Sequence, residues 1–302
     1  MLANIQKLIT LCLAAFAAAW FAAFQNNQPG LACLGAIAII FGYTVILAAE
    51  FVLLKLLSQG DKVDQPTWNE LLSAWWGEVT TTPMIFCWRQ PFQSNAIPDV
   101  LGPKETVSGR RGVVFIHGFF CNRGFWTPWY QRLQAKGHAF VGLSMVPVLG
   151  SIDHYVPQID QAVTSVTAAT GLTPLIICHS MGGLAVRAWL KDRQGESRAF
   201  HVVTIGTPHR GTWLARFGQA QNTRQMRLKS NWHTDLDTDM PVGRHRLFTC
   251  WYSSSDNIVF PCATATLPGA DNRIIKSFAH VEMAFAPQVM RATLALLDKN
   301  EA

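Results

Sequence analysis

Charge is scarce in this 302-residue chain: Asp, Glu, Lys and Arg make up 15% of it, against about 25% in ordinary globular domains. With 49% apolar residues as well, it is not a disordered, collagen-like or coiled-coil chain, because each of those needs more charge or a repeating composition. No internal repeat is visible, and no low-complexity tract beyond an Ala-rich stretch near the N-terminus. CxxC pairs and Cys/His spacings of the zinc type are missing, as are a P-loop and a G-x-G-x-x-G turn. The triplet Asp235-x-Asp237-x-Asp239 hints at a calcium loop, but an EF-hand needs Gly at its sixth position and Glu at its twelfth, where this chain has Met240 and Arg246. No metal and no cofactor are therefore expected. The net charge of +6 comes from scattered basic residues without a binding motif, so nucleic acid is not an expected partner. Anionic lipid head groups account for the mild positive charge equally well.

The shortage of charge is local. Residues 1–60 carry only Lys7, Glu50 and Lys55. Leu8 to Phe24 is a run of seventeen uncharged residues, and Leu31 to Ala49 one of nineteen. Each approaches the roughly 17–25 residues that a helix needs to cross the hydrocarbon core. The reading is a membrane anchor over residues 1–60, a hairpin of two transmembrane helices over about 8–24 and 31–54. A cleaved signal peptide is the alternative for the first run, since Lys7 precedes it. No small-x-small site precedes the polar Gln25–Gly30 stretch, however, and a second apolar run follows almost at once. The loop between the runs has no Lys or Arg, whereas Lys7 lies before the first and Lys55 and Lys62 after the second. That asymmetry places both ends on the cytoplasmic side of a bacterial inner membrane, with the catalytic domain there too. Glu50 lies where a side chain can reach the interface.

Trp68, Leu71, Leu72, Trp75 and Trp76 follow at i, i+3, i+4, i+7 and i+8, one face of a helix. Tryptophan favours the membrane–water boundary, so this is either an interfacial helix in the 61–109 linker or a helix packed on the core of the domain. Seven cysteines, two of them inside the proposed spans, fit a reducing compartment. A Cys250–Cys262 disulfide is the exception that a reversed topology would bring.

From residue 110 onward short apolar runs alternate with helical patterns. Strands are expected at 112–118, 139–144, 175–178, 200–205, 247–252 and 273–276, and helices at 129–136, 159–169, 182–191 and 287–297. That alternation implies an α/β fold with a mainly parallel central sheet flanked by helices on both faces. Residues 207–243 are polar and irregular and read as an excursion over the domain.

The strongest chemical signal is Cys178-His179-Ser180-Met181-Gly182-Gly183, placed between a buried strand and a helix. This is the setting of a nucleophile elbow. The turn needs small residues beside the serine and lifts its hydroxyl above the sheet at a helix N-terminus. Gly182 matches the G-x-S-x-G pattern, while Cys178 stands in place of its first glycine.

On these residues the chain resembles the α/β-hydrolase superfamily, and within it the bacterial lipases and esterases, over roughly residues 110–300. His117-Gly118-Phe119 looks like the oxyanion loop of that family, which implies that the N–H groups of Phe119 and Met181 hold the developing negative charge. His117 and His179 are then supporting residues. Gly206-Thr-Pro-His-Arg-Gly211-Thr212 is similar to the G-[ST]-P-H-x-G segment of lipases, and Gln225-Met226-Arg227 with Ser230 is similar to a piece of their cap. The family order Ser, acid, His implies Asp256, in Asp256-Asn-Ile-Val259, as the acid, with Asp271 as the alternative. It implies His280 as the base. A serine hydroxyl is a weak nucleophile until an imidazole takes its proton, and a carboxylate fixes the imidazole tautomer. Among the remaining histidines, His209 is expected to pack or hydrogen-bond, and His138, His154, His201, His233 and His245 to be structural or exposed.

The expectation is a membrane-anchored serine hydrolase of carboxylic esters, most simply lipid-like acyl esters, with segment 207–243 forming a cap that shapes the acyl pocket. An acyltransferase, thioesterase or peptidase would use the same triad, and a non-catalytic membrane scaffold would leave it idle.

Overall fold

The computed structural model describes residues 1–61, 63, 65–102, 107–238 and 242–298. Lys62, one of the charges used for orientation, and Asp239 and Met240 of the rejected calcium loop lie outside the described residues.

Apolar residues without helix breakers form α1 (Leu2–Phe24), whose outward side chains include Leu8, Ile9, Leu11, Leu13, Phe16 and Phe21. It is the one helix among the described residues that is by itself long and apolar enough to cross a membrane. The second run is not one straight helix. It is divided into α2 (Pro29–Phe41) and α3 (Tyr43–Leu57), which meet at Gly42 with a bend of 51°. Pro29 occupies the first turn of α2, where its missing N–H leaves no helix bond unmade. Gly35 lets α2 approach α1: a Cβ there would lie 1.9 Å from the Trp20 indole nitrogen, which donates to Leu31 O at 3.1 Å.

Thr67 and Glu70 form a reciprocal capping box that starts α4 (Trp68–Pro83). The helix passes into a π-helical turn, Met84–Arg89. Its aromatic face is split. Leu71 is buried and the Trp75 indole donates to Thr44 O of α3 at 3.0 Å, whereas Trp68, Leu72 and Trp76 remain exposed. One side of α4 therefore packs on protein, and a separate i, i+4, i+8 stripe faces outward.

The sheet has six parallel strands: β1 (Val113–Ile116), β2 (Phe140–Gly142), β3 (Leu175–His179), β4 (His201–Ile205), β5 (Phe248–Tyr252) and β6 (Asp271–Ile274). Their spatial order is β2-β1-β3-β4-β5-β6. The connecting helices are α5 (Thr127–Lys136), α6 (Val156–Thr170), α7 (Met181–Arg193), α8 (Asn231–Thr238), α9 (His280–Met283) and α10 (Pro287–Leu294). Left-handed Gly137 and Gly171 end α5 and α6, as glycine does where a side chain would clash. β2 is shorter than its apolar pattern, and β6 begins at Asp271, two residues before the expected start.

Alternation along the strands divides the core. Val114, Ile116, Ile176, Cys178, Val202, Phe248 and Cys250 pack with α6 and α7 on one face. Val113, Phe115, Leu175, Ile177, Val203, Ile205 and Trp251 pack with α5, α10, Trp126 and Trp129 on the other. A third cluster joins Phe51 and Leu54 of α3 and Leu71 and Ala74 of α4 to Phe260 and Ala279. The N-terminal helices thus dock directly on loops at the C-terminal ends of β5 and β6. All seven cysteines are free, Cys250 and Cys262 among them.

Candidate active site

Ser180 closes the turn between β3 and α7 with φ 53° and ψ −128°, a conformation that costs a non-glycine residue energy and is retained where a site needs it. The space for that turn comes from glycines on its helix side. A Cβ on Gly182 would lie 2.4 Å from Ile116 O, and one on Gly183 would lie 2.3 Å from Thr207 Oγ1. Cys178 needs no such space, because it is still within β3 and points into the core. Ser180 N donates to Ile205 O at 2.9 Å, and Thr207 Oγ1 donates to Ser180 O at 2.8 Å. The Gly206–Thr212 segment therefore braces the turn.

The loop after β5 brings Asp256 to His280. His280 Nδ1 lies 3.0 Å from Asp256 Oδ1 and 2.9 Å from Oδ2. Oδ1 also accepts from the N–H groups of Ile258 at 2.9 Å and Val259 at 2.8 Å. Gly206, with φ +57°, leaves room for the pair: a Cβ there would lie 3.1 Å from both Asp256 Oδ2 and His280 Nδ1. Asp271, the alternative acid, is exposed on β6 and paired with Arg273 at 2.6 Å. Burial disfavours a protonated His280, but the charge and hydrogen bond of Asp256, followed by the charges of Glu78 and Glu50, outweigh it and raise the His280 pKa.

Gly118 passes so close to the elbow that a Cβ there would lie 2.8 Å from Ser180 Cβ. His117 fixes this loop. Met145 N–H donates to its Nε2 at 3.0 Å, so the proton is on Nδ1, which donates to Gly118 O at 2.8 Å. Burial pushes the His117 pKa down to about 4, which keeps the ring neutral. The N–H groups of Phe119 and Met181 donate to nothing among the described residues. His179 stacks on Phe125 at 4.6 Å and its Nε2 meets His280 O at 3.1 Å. Burial holds its pKa well below the ordinary histidine value, so it too is neutral and donates this bond.

Ser180, His280, His179, Gly118 and Phe119 line one cavity of about 230 Å³. Ser180 Oγ and His280 Nε2 share no hydrogen bond among the described residues, a contact that commonly tightens only when substrate is bound. The other walls are Leu47 and Glu50 of α3, Glu78 and Thr82 of α4, Phe86 of the π-helical turn, Cys121, Asn257, Ile258 and Val281. No described residue of 207–243 lines it. Trp213 and Leu214 pack beside Phe260, but the rest of the expected cap lies elsewhere: Gln225 bonds Ser151 and Ile152, Ser230 bonds Gln225 O, Arg227 bonds Gly218 O, and Asp237 on α8 pairs with Arg187. The N-terminal helices take the covering position, because the apolar faces of α3 and α4 are buried against Phe260 and Ala279.

Glu50 likewise does not reach for an interface. Its Oε2 accepts from Asn257 Nδ2 at 2.6 Å, and Asn257 Oδ1 accepts from His280 N at 3.2 Å. Glu78 accepts from Val281 N at 3.2 Å and Glu282 N at 3.1 Å. Sequence reasoning missed Glu78 and Asn257. For Glu50 a signal existed, the single carboxylate in an apolar segment. Three of the remaining histidines serve the frame: His209 Nε2 meets Thr204 Oγ1 at 3.0 Å, His138 Nδ1 meets Arg111 O at 3.0 Å, and His245 Nδ1 meets Pro268 O at 2.7 Å.

A mainly parallel sheet flanked by helices, with a strained serine at the turn after β3, defines the α/β-hydrolase fold. Solved structures with this fold are similar to the chain. Bacillus licheniformis lipase BlEst2 in its mature form matches with a TM-score of 0.56 at 15% identity, over 66% of this chain and 95% of the lipase. Aspergillus fumigatus lipase B matches with a TM-score of 0.55 at 17% identity, over 64% of this chain and 53% of that one. No protein-family model matches the chain, and no curated protein matches it.

Proposed function

We propose that the protein is a membrane-anchored serine hydrolase of carboxylic esters. The observation that carries this reading is His280, held by Asp256 at 2.9 Å, lining the same cavity as Ser180 on its strained elbow. Ser180 Oγ attacks the acyl carbonyl carbon as its proton passes to His280 Nε2, and Asp256 stabilises the imidazolium. Phe119 and Met181 N–H groups receive the oxyanion, an interaction worth about 2.7–4 kcal/mol for each such donor. The tetrahedral intermediate collapses, the alcohol leaves with the proton from His280, and an acyl-Ser180 ester remains. Water repeats the sequence and releases the carboxylic acid.

Lipid-like acyl groups fit best, because Leu47, Phe86, Phe119, Ile258 and Val281 make much of the cavity wall apolar. The lipase folds that the chain resembles agree with that preference. Membrane anchoring rests on α1 and on the bent α2–α3 pair, with Lys7 and Lys55 favouring a cytoplasmic position for both ends. The test is covalent labelling of the full-length protein in detergent by a fluorophosphonate. Labelling of wild type and its loss in Ser180→Ala are expected. A folded wild type that stays unlabelled overturns the reading. Turnover of esters of increasing acyl length, compared with phospholipids and thioesters, then identifies the substrate class.

A further inference from the structure

We propose that Glu78, with Glu50 as its counterpart, is a positioning residue for His280, so that the N-terminal helices complete the catalytic site as well as covering it. This inference rests on the reading of His280 as the base.

Three consecutive backbone N–H groups start α9, those of His280, Val281 and Glu282. Their usual partner would be a side-chain oxygen at the N-cap, but that residue is Ala279. The partners come from outside instead. Glu78 Oε1 and Oε2 both lie 3.2 Å from Val281 N, and Oε2 lies 3.1 Å from Glu282 N. His280 N is taken at 3.2 Å by Asn257 Oδ1, and Asn257 is held in turn by Glu50 at 2.6 Å. The approach is close: a Cβ on Gly77 would lie 2.1 Å from the Glu282 carboxylate. Two carboxylates more than twenty residues apart in sequence, on α3 and α4, thus tie the backbone that carries His280 and the residue next to Asp256.

A neutral side chain could satisfy these N–H groups at lower desolvation cost than a buried carboxylate. The negative charge adds something a neutral cap does not, support for the imidazolium that forms during acyl transfer. The groups facing His280 are Asp256, Glu78 and Glu50, with neutral His179 at 4.6 Å between ring centres and Glu282 on the same helix. Burial raises Glu78 to about 7, so its charge is present on the neutral-to-alkaline side of the range in which a base must be free.

The test uses the full-length protein in detergent with a soluble chromogenic ester. Glu78→Gln is expected to lower kcat by about tenfold to a hundredfold, the scale of a misplaced catalytic group, with little change in KM. Loss of its charge is expected to move the acid limb of the kcat profile to lower pH. Glu78→Asp should recover part of kcat and return the acid limb toward wild type. Glu50→Gln keeps an acceptor for Asn257 and removes only charge, so it should move the acid limb in the same direction, and it carries the test should Glu78→Gln not fold. Glu70→Gln, in the capping box at the start of the same helix and able to keep its bond to Thr67 N, is the control and should leave the profile in place. Where a separate sample of wild type is labelled at Ser180, variants whose profile superimposes on that of unlabelled wild type overturn this inference alone, as does a fall in kcat with no movement of the acid limb. A wild type that is never labelled at Ser180 overturns the underlying reading instead.

Discussion

Replacing Asp256 by Asn is expected to abolish turnover through the tautomer of His280, and the neighbouring amides say why. Asp256 Oδ1 accepts two backbone N–H groups, from Ile258 at 2.9 Å and Val259 at 2.8 Å. In the Asp256→Asn variant the carbonyl oxygen of the new amide must take that place, because an NH2 group there would face two donors. The amide nitrogen then occupies the Oδ2 position, 2.9 Å from His280 Nδ1. The carbonyl oxygen, 3.0 Å from Nδ1, is already shared by the two backbone donors, and the amide N–H at 2.9 Å opposes a proton on Nδ1, so the ring moves its proton to Nε2. A ring protonated on Nε2 cannot accept the Ser180 proton. The expected loss is about ten-thousand-fold in kcat, equivalent to about 5.5 kcal/mol. The substitution changes no volume and keeps both backbone hydrogen bonds, so thermal stability should change by much less than that. The assay is steady-state ester hydrolysis with the rate of fluorophosphonate labelling alongside. An Asp256→Asn enzyme within tenfold of wild-type kcat would refute the assignment of Asp256 and the tautomer argument together.

Three further outcomes follow from the structure. Glu78 has a pKa of about 7 in the folded protein against an ordinary 4.5, so between those values the folded state holds a proton that the unfolded chain has lost. Stability should therefore fall as pH rises through that window, by on the order of 3 kcal/mol. The Tm of Glu78→Gln should fall less between pH 5 and 8 than that of wild type, and parallel curves would contradict the burial argument. Gly182→Ala sets a methyl 2.4 Å from Ile116 O and 2.7 Å from His117 O, both rigid backbone atoms. It should cost either folded yield or at least about a hundredfold in activity, read by thermal melts and ester turnover. Trp68, Leu72 and Trp76, each more than 60% exposed in one stripe on α4, should anchor the helix at a bilayer surface. Their joint replacement by Ser should lower hydrolysis of a vesicle-borne ester while turnover of a soluble short-chain ester persists.

The strands and the elbow were legible because both are local. Runs such as Val113–Ile116 and Leu175–His179 are apolar on both faces, and Ser180 with Gly182 can be placed only where a strand turns sharply into a helix. Asp256 and His280 could be located because each sits just beyond a strand end. The walls of the cavity were not legible. Leu47, Glu50, Glu78 and Phe86 reach Ser180 through tertiary packing of α3 and α4, and helical periodicity says which residues share a face without saying what the face meets. That is also why residues 207–243 drew the cap assignment: polarity and irregularity mark an excursion, but not the side of the molecule on which it folds. The bend at Gly42 escaped notice because hydropathy is indifferent to direction.

The small apolar cluster of Phe51, Leu54, Leu71, Ala74, Phe260 and Ala279 has a practical corollary for anyone preparing this protein. Removing the hydrophobic leader is the usual route to a soluble version of such a protein. Here a chain beginning near residue 61 would strip Phe51 and Leu54 from Phe260 and Ala279 and leave Asn257 without its carboxylate. Such a truncate would have a greasy scar beside the loops that carry Asp256 and His280, and its inactivity would say nothing about the substrate. Kinetic work should begin with the entire polypeptide in detergent or lipid discs.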